Sequence, residues 1–171
     1  MPLQKPTRRQ VLTIGSLVSV GTLVGGFMWL PNPAAGQRVL SEGELTIVGA
    51  LGEVFFPEAN PVGLSWEDVA LEDGVDRLLA ETIEPKLVDP FRYLLRFVEY
   101  GTIAETGSRF TRCSVKRRAA LLESWGRPGS KYRSAGMNSL KSILGMAYFN
   151  HPEVLSTLGW RSMCSAPVRE G

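Results

Sequence analysis

Two adjacent arginines, Arg8 and Arg9, stand directly before a run from Val11 to Leu30 that carries no charge, and this junction decides how much of the chain is left to build a folded body. A basic start, a long apolar stretch and the small residues Ala34-Ala35-Gly36 have the layout of an export signal. The arginine pair makes it one of the twin-arginine kind. An uncleaved membrane anchor is the competing reading, because a helix over Val11–Leu30 would be about 30 Å long, roughly the thickness of a hydrocarbon core. Gly15, Gly21, Gly25 and Gly26, with Thr13, Ser16, Ser19 and Thr22, dilute the apolar run, which suits a signal better than a stop-transfer helix. Ala34 and Gly36 supply small residues at −3 and −1 for a cut before Gln37. Residues 1–36 are therefore set apart as a signal segment, and 37–171 are expected to form one domain.

That remainder has 135 residues, enough for one hydrophobic core and few for two. Removing Lys5, Arg8 and Arg9 takes the formal charge from +2 to −1. A near-neutral domain lacks the dense positive field that phosphate backbones demand, so nucleic acid is not an expected partner. The local cluster Arg109 to Arg118 reads as a solvated loop and helix start. Cys113 and Cys164 are far apart and have no metal-ligand spacing. In an oxidising compartment they permit a disulfide to each other or to another chain, and free buried thiols are equally compatible with the sequence.

Beyond the signal, apolar residues recur at helical spacing and no strand-like alternation of useful length appears. Ser41 and Glu44 have capping-box spacing, and Leu45, Ile47, Val48, Leu51, Val54 and Phe55 follow with a helical period until Pro57. Residues 57–66 read as a turn-rich connector, and 74–80 as a short amphipathic helix ending near Pro85. Phe91, Leu94, Leu95 and Val98 form an i, i+3, i+4, i+7 stripe. A loop is expected over 101–108. Ser114 is placed to cap a helix running to Trp125, which Gly126 and Pro128 end. A further helix is expected from about Tyr132 to Asn150, with Met137, Leu140, Ile143, Leu144 and Ala147 inward, then a short helix and a glycine turn up to Trp160. The expected fold is all-α, a single irregular bundle of about five or six helices.

No nucleophile with a base, metal set or cofactor loop is legible, so no catalytic, cofactor-binding or metal-binding residue is assigned. His151, the one histidine, precedes a proline at a helix end and reads as a capping or surface residue. Glu72, Asp73 and Asp76 gather at a helix N-terminus, where the macrodipole favours carboxylates. Phe91, Phe97, Tyr100, Trp125, Tyr148, Phe149 and Trp160 read mostly as core and interface material.

Taken in order, the segments 45–57, Asp76-Arg77-Leu78-Leu79, 91–95, 118–125 and Tyr148-Phe149-Asn150-His151-Pro152-Glu153-Val154, closed by Leu158-Gly159-Trp160, resemble the gluconate 2-dehydrogenase subunit 3 family. The likeness covers nearly all of 37–171. Cys113-Ser114-Val115-Lys116 departs from the plainer serine-rich, acidic approach common there. The resemblance implies a small, non-catalytic, twin-arginine-signalled subunit. It would accompany a large flavoprotein dehydrogenase of the glucose-methanol-choline type, with FAD in that partner and haem in a multihaem cytochrome c third component. It further implies passage through the twin-arginine translocase and a periplasmic place at the inner membrane. A stand-alone periplasmic binding or structural domain, held by an uncleaved Val11–Leu30, is the alternative.

Overall fold

The computed structural model describes residues 30–127 and 131–160. Arg8, Arg9, nearly all of the uncharged run and the tail holding Cys164 lie outside the described residues. The chain divides into two compact units, 1–31 and 32–171, and the second is helical. Its described residues hold α1 (Glu42–Phe55), α2 (Leu71–Glu81), α3 (Pro85–Gly101), the single turn α4 (Ile103–Thr106), a 3-10 turn (Phe110–Arg112), α5 (Val115–Gly126), α6 (Lys131–Phe149) and α7 (Pro152–Thr157), with no strand among them. The all-α expectation holds. Five of these helices have eleven residues or more, and none is long and apolar enough to cross a membrane.

α1 is the centre of the bundle and packs against α2, α3, α5 and the 3-10 turn, while α6 lies along α2 and α5 and carries α7. Val48, Leu51, Val75, Leu79, Leu95, Val98, Leu140, Leu144 and Tyr148 meet in one core, buried because each helix turns one apolar stripe inward. Close approach is built into α1. A Cβ on Gly52 would lie 2.9 Å from both Leu71 and Trp66 side-chain atoms, so only glycine lets the α1 backbone reach that wall. At the far end of α1, Phe56 stacks on Tyr148 with centroids 4.0 Å apart, and the Tyr148 hydroxyl donates to the Leu64 carbonyl in the connector.

Buried charges pin the elements. The Glu44 carboxylate accepts from the Ser41 N–H at 2.9 Å and its hydroxyl at 2.8 Å, as the capping-box spacing requires. It also takes Arg92 from α3, with Nε at 3.1 Å and Nη2 at 3.0 Å. Arg118 of α5 donates to the Cys113 and Ala50 carbonyls and pairs with Glu53 of α1 at 2.7 Å. Glu99 of α3 receives the Thr111 N–H and hydroxyl. Such groups stay inside only because donors and acceptors are matched.

Four local expectations are corrected. α3 starts at Pro85, not near Phe91, and runs through Pro90. Proline suits the first helical position, and the inward stripe Phe91, Leu95 and Val98 outweighs the one backbone bond that Pro90 cannot donate. α2 starts at Leu71 because Ala70 takes the left-handed conformation at φ 46°, at a cost of about 1 kcal/mol. The 101–108 loop contains the turn α4, closed by Gly107 at φ +72°. The cluster Arg109 to Arg118 is not simply solvated, since Phe110 and Arg118 are buried.

Candidate functional site

α3 and α6 both pack on α2, and an apolar groove runs between them. Its α3 wall is Leu87, Pro90, Phe91 and Leu94, with Phe97 further along; its α6 wall is Gly136, Ser139, Ser142 and Ile143. The groove consists of two concavities on either side of Leu94, whose Cδ1 lies 3.0 Å from where a Gly136 Cβ would stand. One, of about 380 Å³, lies between Leu87 and Ile143; the other, of about 220 Å³, is enclosed by Phe97, Trp125, Tyr132 and Arg133. The sequence folds this way because α3 has two apolar stripes. Phe91, Leu95 and Val98 enter the core, and among the described residues no helix is laid over the adjoining flank.

Exposure here is large. Leu87 is 51% exposed, Phe97 42% and Tyr132 92%. Contiguous apolar surface of this kind marks sites where proteins bind something. Phe97 and Trp125 lie with ring centroids 5.5 Å apart, and the Arg133 guanidinium sits 5.5 Å over the Trp125 ring while pairing with Glu105 at 2.8 Å. Trp125 is buried, yet its indole N–H has no acceptor among the described residues. α6 itself contains no acidic residue, and the Arg133 charge at this end is balanced by Glu105 of α4.

The residues singled out from the sequence do not converge. Cys113 is buried and unpaired, its Sγ 3.4 Å from the Arg109 carbonyl oxygen, and Cys164 lies outside the described residues. His151 stands at the N-cap of α7, with a buried Nδ1 that has no hydrogen-bond partner among the described residues. Glu72 and Asp73 do occupy the first turn of α2. Burial raises the Glu72 carboxyl above the usual carboxylate range, opposed by its own backbone N–H and helped by Asp73 and Glu67. Asp76 departs from the helix-dipole reading. It is buried and accepts the N–H groups of Arg38, Val39 and Leu40 at 2.7 to 2.9 Å, tying the segment before α1 to α2.

A second, wide concavity beside α1 is lined by Glu53, Glu72, Thr111 and Arg118, but its arginine and Glu53 are spent on each other and on backbone carbonyls. Among the described residues no three His, Cys, Asp or Glu side chains lie together as a metal site would need. The spacing puts Leu94 on the core-facing stripe and reads Phe97 as core or interface material, whereas Leu94 is only partly buried and Phe97 is exposed, both lining the groove. Its signal was there, in the double stripe of α3.

Neither a curated protein nor a solved structure matches the chain. The model of one protein family does, Gluconate 2-dehydrogenase subunit 3, over residues 42–163. That match begins on the first residue of α1, takes in every helix described and the whole groove, and covers well over half of the chain. The chain belongs to the gluconate 2-dehydrogenase subunit 3 family.

Proposed function

We propose that this chain is the non-catalytic small subunit of a periplasmic, membrane-associated flavin-dependent dehydrogenase acting on a sugar, sugar acid or other alcohol. It binds the catalytic flavoprotein and supplies the complex with its twin-arginine signal, residues 1–36. The observation that carries this reading is the family match over 42–163, whose description makes the chain one subunit of a dehydrogenase assembly. Two features support it. The paired Arg8-Arg9 ahead of an uncharged run fits a route that exports folded cargo, and the open α3–α6 groove offers apolar surface for a partner. FAD, and haem where a cytochrome c joins, belong to the other subunits.

Co-expression tests the proposal. The tagged chain is produced with the glucose-methanol-choline type flavoprotein of its own genome that lacks an export signal. Purification from membranes should yield both chains in fixed ratio, FAD in the large one, and dye reduction dependent on an alcohol or sugar substrate. Recovery of this chain alone, still carrying residues 1–36, would support the stand-alone anchored domain instead.

A further inference from the structure

The bond expected to be cut when the signal is removed, between Gly36 and Gln37, belongs to the folded unit 32–171. The Gln37 N–H donates to the Ala34 carbonyl at 3.0 Å, closing a four-residue turn whose third residue is Gly36 at φ +83°. A turn of that shape takes glycine there, because side chains oppose a positive φ. The Ala34 N–H donates to the Leu40 carbonyl at 2.9 Å, so residues 34–40 form a closed loop. α2 holds the loop down. The Asp76 carboxylate accepts the N–H groups of Arg38, Val39 and Leu40, the Gln37 amide donates to Asp73 at 2.7 Å, and Arg38 pairs with Glu81. Leu40 is wholly buried in the core.

A peptidase takes its substrate main chain extended, laid along the cleft like an added strand. Extended chain would put residues 34 and 37 about 10 Å apart, whereas a turn holds them within about 7 Å. The small residues at −3 and −1, Ala34 and Gly36, are thus folded back on each other in the native domain. We infer that signal removal is gated by the fold: the Gly36–Gln37 bond is cut only in molecules whose 34–40 loop has opened, and Asp76 sets how often it opens. This rests on the proposed reading of residues 1–36 as a twin-arginine signal. On a route that exports folded cargo the loop is already closed when the peptidase meets it. Cutting then follows the population of the locally opened form. The reaction itself is hydrolysis by the peptidase: water adds across the amide, leaving a carboxylate on Gly36 and a free amine on Gln37. Until then residues 1–36 tether the folded chain to the membrane.

Full-length chain made by cell-free synthesis in detergent, residues 1–36 attached, is incubated with purified signal peptidase and followed by intact mass. Asp76→Asn, which lies dozens of residues from the bond and leaves peptidase recognition untouched, should be cut roughly tenfold faster than wild type. Gly36→Ala keeps a small residue at −1 and opposes the turn, so it should be cut severalfold faster. Leu140→Ala weakens the core from α6 and has no part in the loop; it should melt lower yet be cut at the wild-type rate. Hydrogen exchange should find the Arg38, Val39 and Leu40 amides protected in wild type and released in Asp76→Asn, with α1 protected in both. Equal rates for wild type and both loop variants, or a Leu140→Ala rate as high as that of Asp76→Asn, would overturn the inference and leave the proposed function standing. If none of the four proteins is cut before Gln37, residues 1–36 are an anchor, and the signal reading falls together with the inference.

Discussion

Arg92→Met removes one half of a buried ion pair and leaves the Glu44 carboxylate, almost wholly out of solvent, holding only the Ser41 N–H and hydroxyl. Breaking a buried pair from one side costs about 3–5 kcal/mol, because the remaining charge stays desolvated. For a domain of this size each kcal/mol lowers Tm by roughly 3–5 °C, so the variant should melt about 10–20 °C below wild type. The informative step is the second substitution. Glu44→Gln alone takes away the carboxylate charge facing Arg92 and should destabilise by about 2–3 kcal/mol. In the Arg92→Met background the same change removes the stranded charge and keeps an acceptor for Ser41, so there it should stabilise by about 2 kcal/mol. Urea unfolding followed by circular dichroism measures all four proteins. An Arg92→Met loss under 1 kcal/mol, or a Glu44→Gln effect of the same sign in both backgrounds, would refute the view that this pair pins α3 to α1.

Asp76→Ala should cost about 3 kcal/mol by orphaning three backbone N–H groups, and limited proteolysis should then cut within residues 37–40 first; Asp76→Asn should recover part of that loss. Burial raises the Glu72 carboxyl, so its ionisation works against the fold, and stability should fall as pH rises from the unfolded carboxylate value of about 4.3 through the raised folded one. Glu72→Gln should accordingly raise Tm at pH 7 and lose that advantage below pH 4, as thermal melts across the range will show. Intact-mass analysis of exported protein should find Gln37 at the N-terminus, whereas a mass retaining residues 1–36 would point to an anchor.

Helix positions that depend on local period were legible. Of the inward stripes of α3 and α6, Leu94 and Ala147 are only partly buried, while Phe91, Leu95 and Val98 on one and Met137, Leu140, Ile143 and Leu144 on the other are buried where the spacing places them. So is the start of α1, since Ser41 and Glu44 interact within one turn. What escaped depends on partners distant in sequence. Glu44 meets Arg92, Arg118 meets Glu53, and Asp76 meets residues 38–40, and nothing in the local pattern of a charged residue says that it will be buried with a counterpart dozens of positions away. Helix starts escaped for a different reason. Pro90 and Ala70 adopt conformations that intrinsic preference opposes and that core packing enforces. The groove was half legible, because the second stripe of α3 is visible in sequence while its exposure among the described residues is a property of the assembled bundle.

If this chain carries a folded flavoprotein out of the cytoplasm, export of both chains depends on Arg8 and Arg9. Replacing both arginines by lysine keeps the charge and removes the planar, forked donors, and the helices from Glu42 onward are untouched. Cells producing Arg8→Lys, Arg9→Lys protein with the flavoprotein can be fractionated and each compartment assayed for both chains and for FAD. An intact, FAD-loaded complex should stay confined to the cytoplasm, with no flavoprotein in the periplasm. Flavoprotein in the periplasm at wild-type level would contradict it.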